Sequence, residues 1–124
     1  MTNQTQGEIL FEGWKGDGAD PKTWVYTPWM PVQGDFGLFA VEITYIVSGV
    51  TLQWEVQTRT REDVTANAGM SATQTATAVG IHSAENTTAL EELFRYRIAT
   101  NTMTASKTDF VVVRALPPSW EVDR

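Results

Sequence analysis

The sequence predicts an all-β fold: a single antiparallel β-sandwich of jelly-roll type, with about seven to eight strands and an extended N-terminal arm. Three observations carry that expectation. First, 124 residues contain 18 threonines and 12 valines against 6 leucines, and β-branched side chains are stiff at χ1 and suit a pleated strand better than a helix. Second, apolar residues alternate with period two through much of the chain, the pattern of a half-buried strand. Third, Gly, Pro and Asn clusters recur at the spacing of a small sandwich, with no helical stretch long enough for a crossover. The length is that of one domain, residues 1–124, large enough to bury a core without covalent staples.

Taken in order, residues 1–7 are polar and read as a loose arm. Ile9-Leu10-Phe11 leads into a turn-rich segment, Gly13 to Pro21. Thr23 to Thr27 reads as a strand closed by Pro28 and Pro31, with Trp24 and Tyr26 pointing to the core. A loop at Gly34-Asp35-Phe36-Gly37 follows. Phe39, Val41, Ile43, Tyr45 and Val47 then share one face. After the Ser48-Gly49 turn, Leu52, Trp54, Val56 and Thr58 share another. These two runs read as an antiparallel hairpin with one dry and one wet face. Residues 66–70 read as loop and the Thr/Ala stretch 72–80 as a strand close to a neighbour. Thr88-Ala89-Leu90-Glu91 fits a capping box, which predicts one helical turn. Phe94, Tyr96 and Ile98 alternate with Arg95 and Arg97, and a polar loop returns the chain into Phe110–Leu116. Pro117-Pro118 ends that strand and leaves 117–124 as a C-terminal tail.

Charge and composition exclude several functions. Nine Lys/Arg against fifteen Asp/Glu give a net charge of −6, which opposes nucleic-acid binding. The charge is uneven: residues 1–57 carry seven acids and two bases, and residues 58–124 carry eight acids and seven bases. With no cysteine there is no disulfide, thiolate metal site or cysteine nucleophile. No apolar run is long enough to span a membrane, and the chain as given opens without the pattern of a signal peptide.

No catalytic constellation emerges, so no enzyme, cofactor or metal is expected. Glu42 and Glu55 fall on the wet face of the expected hairpin, where solvation explains them. His82, the single histidine, has no nucleophile elbow to serve. Asp17, Asp20 and Asp35 offer oxygen ligands near a glycine-rich loop, but the spacing fails the EF-hand pattern and an ordinary turn is preferred. Arg59, Arg61, Arg95 and Arg97 are expected to pair with Glu42, Glu55, Glu91 or Glu92. The five tryptophans divide: Trp54 and Trp24 read as core, whereas Trp14, Trp29 and Trp120 stand among Gly, Pro and Ser, where a large aromatic either caps the open end of the sandwich or anchors a partner. With Phe36 they are the candidate partner-contact residues. Leu38, Ile46 and Val111-Val112-Val113 place apolar side chains on faces that should be wet. That surplus calls for cover by the arm or by another subunit.

From Thr51 to Thr58, through the Thr/Ala-rich stretch and Leu93-Phe94-Arg95-Tyr96-Arg97-Ile98, to the strand Phe110–Leu116, the order of elements resembles small β-sandwich proteins of tailed bacteriophage virions, the head decoration type. The resemblance covers roughly residues 38–116 and implies a non-enzymatic capsid decoration protein. Its implied partner is the major capsid protein or another virion protein. It also implies a homo-oligomer with a trimer favoured, and a place in the virion after assembly in the host cytoplasm. The alternative from the residues themselves is a carbohydrate-binding sandwich module that stacks exposed Trp and Tyr on sugar rings.

Overall fold

The structure, a computed structural model, describes residues 24–70, 72–100 and 111–121 in full, and the backbone alone of strand residues 3–5, 11–14 and 101–102. Among the described residues there are eleven strand segments and no helix. They are β1 (Asn3–Thr5), β2 (Phe11–Trp14), β3 (Val25–Tyr26), β4 (Met30–Pro31), β5 (Gly37–Ile46), β6 (Val50–Arg59), β7 (Asn67–Ala68), β8 (Gln74–Ala76), β9 (Gly80–Glu85), β10 (Leu93–Thr102) and β11 (Val111–Glu121). Two antiparallel sheets form the expected sandwich. The first sheet runs β1-β11-β5-β9, with β2 also on β11; the second runs β3-β10-β6-β7, with β4 also on β10 and β8 on β6. Short segments thus share the edge positions, and each sheet is four strands wide around two long central ones.

The hairpin expected at 38–61 does not form. Strand β5 pairs β11 and β9 in the first sheet, whereas β6 pairs β10, β7 and β8 in the second. The turn between them, held by Val50 N–H donating to Val47 O (3.1 Å) with Gly49 at φ +89°, crosses from sheet to sheet. The two dry faces therefore meet across the core instead of lying side by side. Alternation reports which face is buried but not which strand is the neighbour, so both arrangements fit the same pattern. Glu42 and Glu55 consequently lie on the outer faces of different sheets.

Two register shifts decide which side chains enter the core. Across β5 and β11, Val112 opposes Tyr45 but Val113 opposes Ile43, leaving Thr44 as an extra residue. The bulge flips parity, so Phe39, Val41 and Ile43 are buried, then Ile46 is half-buried and Tyr45 is 53% exposed. The second shift lies between Leu116 and Ser119, where Pro117 and Pro118 together oppose Phe39. Proline cannot donate to a ladder and is tolerated at a bulge. Pro117-Pro118 therefore bends β11 without ending it, and the expected tail is strand through Glu121. Beyond the bulge the inward positions become Pro118 and Trp120. The arm, expected to be loose, supplies β1, whose Asn3, Gln4 and Thr5 pair Glu121, Trp120 and Ser119.

The core is dominated by five fully buried rings: Phe39, Trp54, Phe94, Tyr96 and Trp120. Phe39 meets Phe94 (5.6 Å), Tyr96 (5.9 Å) and Trp120 (5.6 Å) edge-to-face, and Phe94 meets Trp120 at 5.3 Å. Such contacts add about 0.5–1.5 kcal/mol each to the burial itself. Gly37 lies beneath this cluster, where a Cβ would come within 3.2 Å of the Trp120 ring.

Tyr96 also joins the sheets. From β10 its hydroxyl donates to Leu116 O (2.8 Å) and accepts from Ala40 N–H (3.3 Å), filling the gap the Pro-Pro bulge opens in the other sheet's ladder. On its own sheet Tyr96 N–H donates to Thr27 Oγ1 (3.0 Å), and Thr27 N–H to Tyr96 O (3.0 Å).

The helical turn expected at 88–91 is absent. Its amides are taken elsewhere: Leu90 N–H donates to Asp35 O (3.0 Å), Glu91 N–H to Thr58 Oγ1 (2.8 Å) and Glu92 N–H to Arg59 O (3.2 Å). Leu90 is buried. Buried Asn86 closes the same end, accepting from Gly37 N–H (2.8 Å) and donating to Asp35 O (2.9 Å) and Thr88 O (2.7 Å). Tertiary hydrogen bonds outweigh one local capping pattern.

Replacing Tyr96 by Phe leaves Leu116 O and Ala40 N–H, both at half-buried residues, without the hydroxyl that pairs them. It should cost about 1–3 kcal/mol in denaturant unfolding. A loss below about 0.5 kcal/mol would show that the bulge does not need the hydroxyl. Burial also raises the Tyr96 phenol well above its ordinary pKa. A folded-state pKa raised above the unfolded one contributes stability that is present below about pH 10 and lost as pH rises beyond it. In an alkaline absorbance titration at least one of the three tyrosines should ionise only together with unfolding.

Candidate functional site

The residues expected to carry partner contacts fall in different environments. Trp14 stands opposite Val111 at the end of β2, and its side chain lies outside the described residues. Trp120 is in the core with 0% exposure, its ring edge-to-face with Phe39 and Phe94 and its indole N–H buried without a hydrogen-bond partner. Phe36 is half-buried, and its carbonyl accepts from Glu121 N–H (3.1 Å). Trp29 is half-buried on the exterior of the second sheet. The four do not converge on one site.

No group of three or more potential metal ligands occurs among the described residues, and Asp17 and Asp20 lie outside them. Asp35 uses its carbonyl to accept from Leu90 and Asn86. His82 faces inward from β9, with Nε2 2.8 Å from Ala78 O. Glu42 accepts from the Nε and Nη2 of Arg114 across β5 and β11. Glu55, only 5% exposed, pairs with Arg97 Nη2 at 2.5 Å and accepts from Thr73 Oγ1 at 3.3 Å. Of the pairings expected for the four arginines, Arg97–Glu55 and the exposed Arg61–Glu92 contact (3.7 Å) form. Glu42 instead takes Arg114, Glu91 accepts from Asn67 Nδ2 (3.0 Å), and Arg95 and Arg59 donate to Gln57 Oε1 and Asp63 O.

Among the described residues, the exterior of the first sheet carries exposed apolar side chains around the Glu42–Arg114 pair, with Ser83, Ser119 and Glu85 toward one end. Opposed residues share a face in an antiparallel ladder, so the register sets out its rows. Val112 stands beside Tyr45; Arg114 beside Glu42 and then Ile81; Leu116 beside Ala40 and then Ser83; Ser119 beside Leu38 and then Glu85. Leu38 (43%), Tyr45 (53%) and Ile81 (63%) are well exposed, and so is Val79 just before β9. The surplus expected at Val112 and Leu38 is present on this face. That at Ile46 is not, because the Thr44 bulge turns Ile46 inward.

The exterior of the second sheet carries a ladder of aromatic rings and guanidinium groups. Trp24 and Tyr26, expected in the core, face outward, while Val25 and Thr27 face in. Arg97 Cζ lies 3.9 Å from the Trp24 ring centroid, and Arg95 lies 4.1 Å from that of Tyr26. Trp29 has both Arg95 (4.3 Å) and Arg59 (4.7 Å) over its ring. These contacts hold the short β3 and β4 segments on β10, which Pro28 and Pro31 would otherwise leave weakly paired. The sequence does carry a signal for this ladder. Arg95 and Arg97 two apart on a strand share a face, as do Trp24 and Tyr26. What it lacks is the pairing of β3 with β10 that stacks one set on the other.

The Arg97–Glu55 pair is largely buried, so removing one partner strands the other charge. Arg97→Ala should therefore cost about 3–5 kcal/mol, whereas Arg61→Ala at the exposed Glu92 contact should cost less than about 1 kcal/mol. Equal losses in urea melts would mean that the Glu55 carboxylate is solvated. Compared with protein-family models, curated proteins and solved structures, the chain matches none.

Proposed function

We propose that the chain is a non-enzymatic structural protein that docks on a neighbouring protein through the exterior of its first sheet. The setting we infer is a virion, where it acts as a capsid decoration protein. It binds the major capsid protein or another shell component as a homo-oligomer, a trimer above all. The observation that carries this reading is the apolar exterior of the first sheet, with Leu38, Tyr45 and Ile81 exposed beside Val112 and Leu116. The likeness of residues 38–116 to phage decoration proteins supplies the setting.

Magnitudes favour an interface there. Completing the burial of a half-exposed Leu or Ile contributes on the order of 1 kcal/mol, so the cluster together contributes several. The partly exposed Glu42–Arg114 pair contributes about 1 kcal/mol or less while solvated. Carried into an interface, it remains paired. The pair then fixes orientation while the apolar side chains supply affinity.

In sedimentation analysis the native chain should give a discrete oligomer, and Leu38→Lys with Ile81→Lys should give a monomer that still unfolds cooperatively, at a midpoint lowered by the loss of association. The same double variant should no longer co-sediment with assembled capsid shells that retain the native chain. A native chain that stays monomeric at about 100 µM and ignores the shells would overturn the reading.

A further inference from the structure

The second sheet's exterior faces away from the surface just described and has a different chemistry. Three guanidinium groups, Arg59, Arg95 and Arg97, are gathered there, in a chain whose acids outnumber its bases by fifteen to nine. Arg97 is neutralised by Glu55. Arg95 and Arg59 are not: neither has a carboxylate within ion-pair distance among the described residues. Arg95 donates its Nε to Gln57 Oε1 (2.9 Å), and Arg59 donates Nη1 to Asp63 O (2.8 Å). Both guanidinium groups sit over Trp29, and Tyr26, on the other side of Arg95, is 45% exposed. Partial burial and the nearby charges of Arg59 and Arg97 lower the proton affinity of Arg95. The fold thus keeps two adjacent cations, uncompensated by acids, among aromatic rings. Stacking needs the rings and the planar groups, but it does not need this surplus of charge.

We propose that this exterior binds an acidic glycan, a polysaccharide carrying carboxylates on its sugar rings. A carboxylate is a planar partner for a guanidinium. Arg95 Nε is taken by Gln57 and Arg59 Nε is buried, so the Nη groups of the two arginines beside the Trp29 ring are the donors. The apolar C–H face of a sugar ring fits the exposed Tyr26 ring, while Gln57 supplies an amide within the same row. The net charge of −6 opposes any polyanion, an acidic glycan included, so binding is confined to this face, and the oligothymidylate arm of the test separates carboxylate from phosphate. A neutral glycan would leave both cations uncompensated. The ring-stacking expected of a carbohydrate-binding module thus takes a charged form, with the recognition carried by Arg59, Arg95 and Tyr26. The proposal is independent of the docking reading, which concerns the opposite sheet.

The test is titration of the intact protein with polygalacturonate, followed by tryptophan fluorescence and calorimetry, beside dextran and single-stranded oligothymidylate at matched concentration. Saturable binding of polygalacturonate is expected, weakening with added salt, with dextran inert and oligothymidylate at least tenfold weaker. Arg95→Gln and Arg59→Gln should each weaken binding by about tenfold or more, while Arg61→Gln at the exposed Glu92 contact should leave it unchanged. Far-UV circular dichroism confirms that each variant is folded. Should one arginine variant unfold, the other decides. No binding, equal binding of dextran or oligothymidylate, or full affinity in a folded Arg95 or Arg59 variant would each overturn the proposal.

Discussion

The arrangement depends on one hydroxyl. At the Pro117-Pro118 bulge two residues of β11 face one of β5, and the ladder loses a donor at a buried position. Tyr96 reaches across the core from the other sheet and restores the connection, donating to Leu116 O and accepting from Ala40 N–H. The same side chain contributes its ring to the aromatic core. A buried ladder gap without a partner costs the desolvation of each stranded group, so bulge and tyrosine form one device. With that device in place, β11 changes parity and drives Trp120 inward, where Phe39 and Phe94 enclose it. Without the extra residue at the bulge, the parity of β11 would turn Trp120 outward.

That constraint also explains what could be read in advance. The all-β sandwich followed from composition and alternation because these report burial, and burial is local in a strand. Phe39, Val41, Ile43, Leu52, Trp54, Val56, Phe94, Tyr96 and Ile98 are all buried as their spacing implies. Connectivity did not follow. Strands β5 and β6 have the pattern of a hairpin, yet a three-residue turn sends them to different sheets, a choice made by partners far away in the chain. Tyr45, Ile46 and Trp120 were misplaced because bulges invert parity, and a bulge depends on the register against another strand. Pro117-Pro118 marked the second bulge but resembled a strand end. The outward-facing aromatics escaped for a different reason. A tryptophan in a strand reads as core unless its stacking partners, here Arg95, Arg97 and Arg59, are known to be adjacent.

The two exteriors are products of one register and have opposite characters. On the first sheet, β11 and β5 carry apolar residues outward because both strands hold more Val, Leu and Ile than one core face can take. The Glu42–Arg114 pair sits among them. On the second, β10 and β6 turn Arg and Gln outward, and Trp24, Tyr26 and Trp29, in or just before the edge segments β3 and β4, add their rings. In the docking reading proposed above, the first surface gains by losing water and orients through the Glu42–Arg114 pair. The other keeps its charges and rings in reach of solvent. A module fixed to an assembly by one face and open on the other uses both without conflict.

Hydroxyl-radical footprinting of side chains across the concentration range of self-association tests that division of labour most directly. Reactivity at Leu38, Tyr45 and Ile81 should fall as the oligomer forms, while Tyr26 and Trp29 stay as reactive as in the monomer. Unchanged reactivity on the first sheet, or protection that appears at Tyr26 and Trp29 instead, would contradict the account.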